Sequence, residues 1–177
     1  MALTTLPTAA LANDAVDNTK LDLADNYAFT GTVTGAGGVN TPAFKAQLSS
    51  QLGPFTGNAW TDLSFGSELF DTSNAFDGTT FTVPETGKYY FASFIRLVDV
   101  NSANMYYQLQ LNGASQNAMS SIQTNGFDAT VGFMTIGFSG IYTQNQNDNL
   151  KMRLFQSASV SSYIHTESWF CGFKIIE

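Results

Sequence analysis

From Pro42 onward, apolar and polar residues alternate with the period of a strand. In "MYYQLQL", Met105, Tyr107, Leu109 and Leu111 fall on one side, and Tyr106, Gln108 and Gln110 on the other. "LKMRLF" sets Leu150, Met152 and Leu154 against Lys151, Arg153 and Phe155 in the same way. Two longer runs, "YYFASFIRL" and "VGFMTIGFSGIY", are apolar on both sides in places. Strands covered on both faces read like this, so one face is expected in the domain core and the other against a neighbouring subunit. Turn clusters recur between the runs: "TSNAFDG", "VPETG", "VNSAN", "QTNG" and "TQNQNDN". Asn112-Gly113 predicts a two-residue hairpin, since both positions tolerate positive φ. In "TTFTVPETGKYYF", Pro84 has no N–H to give a ladder and ends one strand. Gly87 lets the chain turn into the next strand, which predicts a hairpin-like corner with aromatics on both sides. No long helical pattern follows residue 50, so the expected class is an all-β sandwich or barrel.

The first forty residues differ from the rest. They are rich in Ala, Thr, Asp and Asn, end in "GTVTGAGG", and place few apolar residues: Leu11, Val16, Leu21, Leu23, Tyr27 and Phe29. So short a segment cannot bury a core alone. Residues 1–40 read either as a disordered N-terminal tail or, the reading carried forward, as an extended or partly helical docking arm or short stalk ordered by neighbouring subunits, with "DNTKLDLAD" as its helical turn and "YAFTGTVTG" as a strand. The glycines at 31, 35, 37 and 38 form the joint to a head domain over 41–177. Fully extended, forty residues reach about 130 Å at most, so no long shaft is encoded. "ALA" before Asn13 resembles a signal-peptidase site, but no basic segment precedes it and Thr4, Thr5, Pro7 and Thr8 break the apolar run; no cleaved signal is expected.

Composition sharpens the assembly reading. Charged residues are 12% of the chain and aromatics 14%, with fifteen Phe and seven Tyr. An average globular protein carries roughly 25% charge, and depletion of charge with enrichment of aromatics marks interface cores. The formal net charge of −7 and the lack of a basic run argue against nucleic-acid binding. No apolar run approaches the roughly 20 residues a membrane helix needs, so no membrane insertion is expected. A single Cys allows no intrachain disulfide, and no N-x-[ST] site occurs, so synthesis in a reducing cytoplasm suffices.

The order of four motifs resembles the C1q/TNF-like jelly-roll domain. "FTVPETGKYYF" matches that family's F-T-x-P-x-x-G-x-Y-x-F pattern through Phe81, Thr82, Pro84, Gly87, Tyr89 and Phe91. "PAFKAQLSS" is similar to its first strand, with Phe44 and Leu48 in place, and Asn112-Gly113 follows Leu111 at its turn. "NDNLKMRL" keeps Asp148 but has Asn147 where the family has Gly, and Thr86 stands where Pro usually precedes Gly87. "SWFCGFKIIE" fits the closing strand through Ser168, Phe170, Gly172 and Phe173. The resemblance covers about 42–177 and implies a ten-stranded jelly roll assembled as a homotrimer. It also makes these motif residues candidates for the core and the trimer contact. The segment "NDAVDNTKLDLADNYAFTGTVTG" resembles the N-terminal or shaft-side segments of marine bacteriophage fibre and appendage proteins.

Candidate catalytic chemistry is thin. His165 and Cys171 are the only residues of their kinds, which leaves no zinc set within one chain. Cys171 lies in an aromatic strand and reads as a small buried hydrophobe; His165 reads as a surface or interface loop residue. "GFSG" over 137–140 is not a nucleophile elbow, and "GAGG" over 35–38 lacks the strand–helix context of a phosphate loop. Asp14, Asp17, Asp22 and Asp25 are not spaced as an EF-hand loop. Glu68, Asp71, Asp77, Asp128 and Asp148 offer carboxylates without singling out a glycosidase pair. No enzyme, cofactor or metal site is expected. The expected role is a structural virion protein, made in the host cytoplasm: a trimeric capsid decoration, knob or short fibre bound to capsid or tail proteins through its arm. Two alternatives stand beside it. One is a receptor- or glycan-binding head using Trp60, Trp169 and the loops "NQNDN" and "SSIQTNG". The other is a free bacterial C1q-like module with a small ligand.

Overall fold

The computed structural model describes residues 41–175 other than 56, 101–103, 114–117, 125–130 and 158–161. The arm residues Leu11, Val16, Leu21, Leu23, Tyr27 and Phe29, and the expected arm–head boundary, lie outside the described residues. Eleven strands occur among those described: β1 Ala43–Gln47, β2 Ala59–Asp62, β3 Ser67–Asp71, β4 Thr80–Thr82, β5 Gly87–Val100, β6 Met105–Leu111, β7 Ala118–Thr124, β8 Val131–Gln144, β9 Asn149–Gln156, β10 Tyr163–Ile164 and β11 Trp169–Lys174. The two-residue β10 is additional to the ten that the resemblance implies.

All pairings are antiparallel, and they form two sheets. The first has the order β3-β1-β11-β5-β8, with β10 also on β5. β11 pairs Tyr89–Phe94 of β5 and β10 pairs Leu97 and Val98, so the two lie end to end along one edge of β5. The second sheet has the order β2-β9-β6-β7. Along β9, β2 pairs Arg153–Gln156 and β4 pairs Asn149–Lys151, again end to end. From β1 to β6 the chain alternates between the sheets at every strand. That is why few neighbouring strands in sequence are neighbours in space.

The core lies between the sheets and follows the alternation. β5 sends Tyr89, Phe91, Ile95 and Leu97 inward, β6 sends Met105, Tyr107 and Leu109, and β9 sends Leu150, Met152 and Leu154; all are buried. Phe44 sits at the aromatic centre. Its ring stacks on Phe76 at 4.8 Å and on Phe81 at 4.6 Å, and meets the edge of Phe170 at 5.0 Å. Ser93 of β5 hydrogen-bonds the Tyr107 hydroxyl of β6 and donates to the Trp169 carbonyl at 2.8 Å, a polar tie that spans both sheets. Burial holds the Tyr107 phenol well above the usual tyrosine range, with the Ser93 hydrogen bond opposing it, so the tie stays protonated.

The corner at Pro84 differs from the expected hairpin. β4 belongs to the second sheet and β5 to the first, so residues 83–86 carry the chain from one sheet to the other. The corner is instead bonded to the β8–β9 turn. Val83 N–H donates to the Asp148 carbonyl at 2.8 Å, and Gln146 donates through its side chain to the Pro84 carbonyl and through its backbone to Thr86 Oγ1. The Tyr89 hydroxyl closes the corner by donating to the Glu85 carbonyl at 2.8 Å. Gly87 does not take a positive φ here, and a Cβ on it would meet only the movable end of the Lys174 side chain, so neither backbone conformation nor packing requires glycine at this position. Asn147 takes φ 70°, the left-handed backbone that Asn tolerates, which explains how it can stand where glycine is usual. Asn112 and Gly113 have φ 50° and 68° as expected, but β7 begins only at Ala118, so the connection is longer than two residues.

Gly172 is required by packing. A Cβ there would lie 2.6 Å from Phe91 Cε1 and 3.0 Å from Phe44 Cε1, both on fully buried rings. Gly172→Ala is therefore expected to destabilise the fold by about 1–3 kcal/mol, read as a lower urea midpoint at unchanged slope.

Candidate assembly interface

Strand register fixes which side chains share the outward face of the first sheet. Tyr90, Ala92, Phe94, Arg96 and Val98 of β5 alternate with its core residues. Their partners on β8 are Ile141, Ser139, Gly137, Thr135 and Phe133. On the other side of β5, Phe173, Cys171 and Trp169 of β11 pair Tyr90, Ala92 and Phe94. The face is thus built in rows that run across the strands. One row joins Ile141, Tyr90 and Phe173; the next is narrow, with Ser139, Ala92 and Cys171; a third joins Gly137, Phe94 and Trp169. Small side chains between two aromatic rows leave a shallow hollow bounded by Tyr90, Phe94 and Trp169.

The aromatics are ordered by contact with one another. Tyr90 and Phe173 lie 5.2 Å apart, and Phe94 stacks on Trp169 at 6.1 Å and 9°. The cations of the face are laid over rings: Lys45 Nζ is 5.3 Å from the Trp169 centroid and Arg96 Cζ is 4.3 Å from that of Phe133. Arg96 also hydrogen-bonds Glu167, which holds that carboxyl below its usual range. Phe133 and Ile141 are 58% and 62% exposed, and Phe70 on the edge strand β3 is 49% exposed. Contiguous apolar surface of this kind is what a subunit interface presents before its partner is in place.

The motif residues named from the sequence mostly stand behind this face. Phe44, Leu48, Phe81, Tyr89, Phe91 and Phe170 are buried in the core, Gly172 packs beneath two of their rings, and Pro84 and Gly87 form the corner. Asn112 and Gly113 make a turn at the end of β6. Phe173 is the one motif residue on the outward face, paired with Tyr90. Sequence motifs do not single out Tyr90, Phe94, Phe133 or Ile141. Their signal lies in the two runs that are apolar on both sides, β5 and β8.

Three of the candidate carboxylates have structural partners. Asp71 accepts from Ser73 N–H and Phe76 N–H, Asp77 from Thr79 N–H and Thr80 N–H, and Asp148 from Asn145 N–H and the Asn112 amide. Asp128 and the acidic set Asp14, Asp17, Asp22 and Asp25 lie outside the described residues. Cys171 faces outward beside Lys45, and burial pushes its thiol up while the ammonium pulls the other way. His165 lies between β10 and β11, where its Nδ1 is 3.7 Å from Glu167. Of the two Trp, Trp169 belongs to this face and Trp60 to β2 of the second sheet, so neither sits on a loop.

No protein-family model and no curated protein matches the chain. Solved structures do. The globular domain of zebrafish complement 1qA protein matches at a TM-score of 0.55 and 18% identity, over 77% of this chain and 98% of that one. Murine APRIL matches at 0.57 and 11%, over 75% and 98%. The Eiger TNF of S. frugiperda matches at 0.55 and 12%, over 76% and 92%. At such identities the likeness is one of fold: the described part of the chain is a C1q/TNF-like jelly roll.

Proposed function

We propose that the chain is a structural protein of a bacteriophage particle, three copies of which join through the outward face of the first sheet, with residues 1–40 as the arm that docks on capsid or tail proteins. One observation carries the assembly: β5 and β8 place a core on one side and, on the other, half-buried Tyr90 and Phe94 beside exposed Phe133 and Ile141. The C1q/TNF-like resemblance supplies the expectation of a three-fold arrangement, since that family assembles as tight homotrimers. The virion role rests on the resemblance of the segment over 13–35 to marine phage fibre and appendage proteins. Such a protein needs no catalytic group: it contributes shape, apolar contact and a fixed point of attachment. It is made in the host cytoplasm and ends in the particle.

Quantitative mass spectrometry of purified particles tests this role. The chain is expected in a fixed copy number divisible by three, retained after salt washing. A soluble secreted pool with none in particles would overturn the virion role and favour a free C1q-like module. A second reading, a glycan-binding head, is favoured by the aromatic cluster on the second sheet.

A further inference from the structure

The outward face of the second sheet carries a different surface. Trp60 of β2 pairs Phe155 of β9, which pairs Tyr106 of β6, so three rings from distant parts of the chain stand in one row across the sheet. Their centroids are 5.3 Å apart for Trp60–Phe155, 5.7 Å for Tyr106–Phe155 and 6.3 Å for Trp60–Tyr106. The rings are half-buried and tilted, and with Gln108 they bound a small cleft. Arg153 fixes the indole from the neighbouring row, its guanidinium 4.4 Å from the Trp60 ring centroid. Asp62 holds the row, 2.5 Å from Lys151 Nζ and 3.9 Å from Arg153 Nε. Lys151 then borders a second, larger hollow, whose other side chains, Thr80, Asn112 and Asn149 among them, are polar and largely uncharged. Four residue steps along β9 separate Phe155 from Lys151, about 13 Å at roughly 3.3 Å per step.

The geometry points to a binding surface for a neutral oligosaccharide on this sheet, the aromatic cleft taking one sugar and the amide- and hydroxyl-lined hollow taking a later sugar of the same chain. This deepens the glycan-binding reading. A pyranose has one face of C–H groups and a rim of hydroxyls. Aromatic faces suit the first, and side chains that both donate and accept suit the second. An apolar helix or strand would not find its match in the polar hollow. A nucleic acid would meet two cations already sharing one carboxylate in a chain of net charge −7. The pre-set rings lower the ordering cost of binding. Assembly through the first sheet leaves this second face outward.

The test uses the full chain on an array of neutral hexose and N-acetylhexosamine oligosaccharides with sulfated and sialylated chains beside them, followed by calorimetric titration of the responders. At least one is expected to bind saturably, with little change between low and high salt. Trp60→Ala is expected to abolish binding. Tyr106→Ala is expected to weaken it by about tenfold, and Tyr106→Phe to keep most of it. Light scattering and a thermal melt on each sample show whether the variants remain folded and assembled. Silence across the array would overturn the proposal, as would binding indifferent to both Trp60→Ala and Tyr106→Ala in folded protein. Binding confined to sulfated or sialylated chains and lost in salt would also overturn it. A monomer that binds sugar would sink the assembly reading and leave this one standing; a silent trimer would do the reverse.

Discussion

Phe133→Asp together with Ile141→Asp is expected to turn the assembled protein into a folded monomer. Both side chains are more than half exposed on the single chain, at 58% and 62%. Changing them there costs the monomer little, within about 0.5 kcal/mol, as for most surface substitutions. In the proposed assembly the same positions lie under a partner. An unpaired carboxylate buried at such a contact costs about 3–5 kcal/mol, which Ile141→Asp brings in every copy. The solution mass is expected to fall to one third, to the 19.1 kDa of a single chain, while the melt of the monomer stays cooperative. Arg96 sits over Phe133, so Asp at 133 gains a neighbouring cation, and the loss from Ile141→Asp alone is expected to be the larger of the two. An unchanged mass for the double variant would remove this face from the interface.

Phe44→Ala is expected to cost about 3–5 kcal/mol of fold stability. The ring is fully buried, stacked on Phe76 and Phe81, and met edge-on by Phe170. These rings come from β1, β4 and β11 and the loop before β4, so the cavity cannot close by moving one strand. Native domains have about 5–15 kcal/mol in total, so the loss takes a large share. The measurement is urea unfolding of the Phe133→Asp, Ile141→Asp monomer with and without Phe44→Ala, which keeps the concentration dependence of assembly out of the comparison. A shift below about 1 kcal/mol, as for a typical surface change, would mean the aromatic stack is not the centre of the core.

Much of this architecture is legible in the chain because strand alternation has a fixed period. β6 and β9 bury the residues that their patterns set apart, Met105, Tyr107 and Leu109 on one and Leu150, Met152 and Leu154 on the other. Register is not legible in the same way, because it is set by pairings between distant segments. The Pro84 corner looks like a hairpin since two apolar runs flank a Pro and a Gly; only the pairing of β4 with β9 and of β5 with β11 shows that it crosses between sheets. The proposed assembly face is legible as a property of β5 and β8 but not residue by residue. Which of Tyr90, Phe94, Trp169 and Phe173 stand together depends on how β11 lies on β5. The Trp60, Tyr106 and Phe155 row is less visible still, since its rings come from three strands that are distant in sequence. Gly172 illustrates a further gap: nothing in the pattern shows that a side chain there would run into the buried rings of Phe91 and Phe44.

A head that assembles by its own outward face, independently of the arm, is the central claim. Its most direct test is the solution mass, by light scattering, of the full chain and of a chain beginning at Thr41. Both are expected to be trimers, about three times the mass of one copy. Two monomers would contradict the assembly outright. A trimer for the full chain with a monomer for the shorter one would place the assembly energy in the first forty residues and contradict the part that β5, β8 and β11 play in holding the copies together.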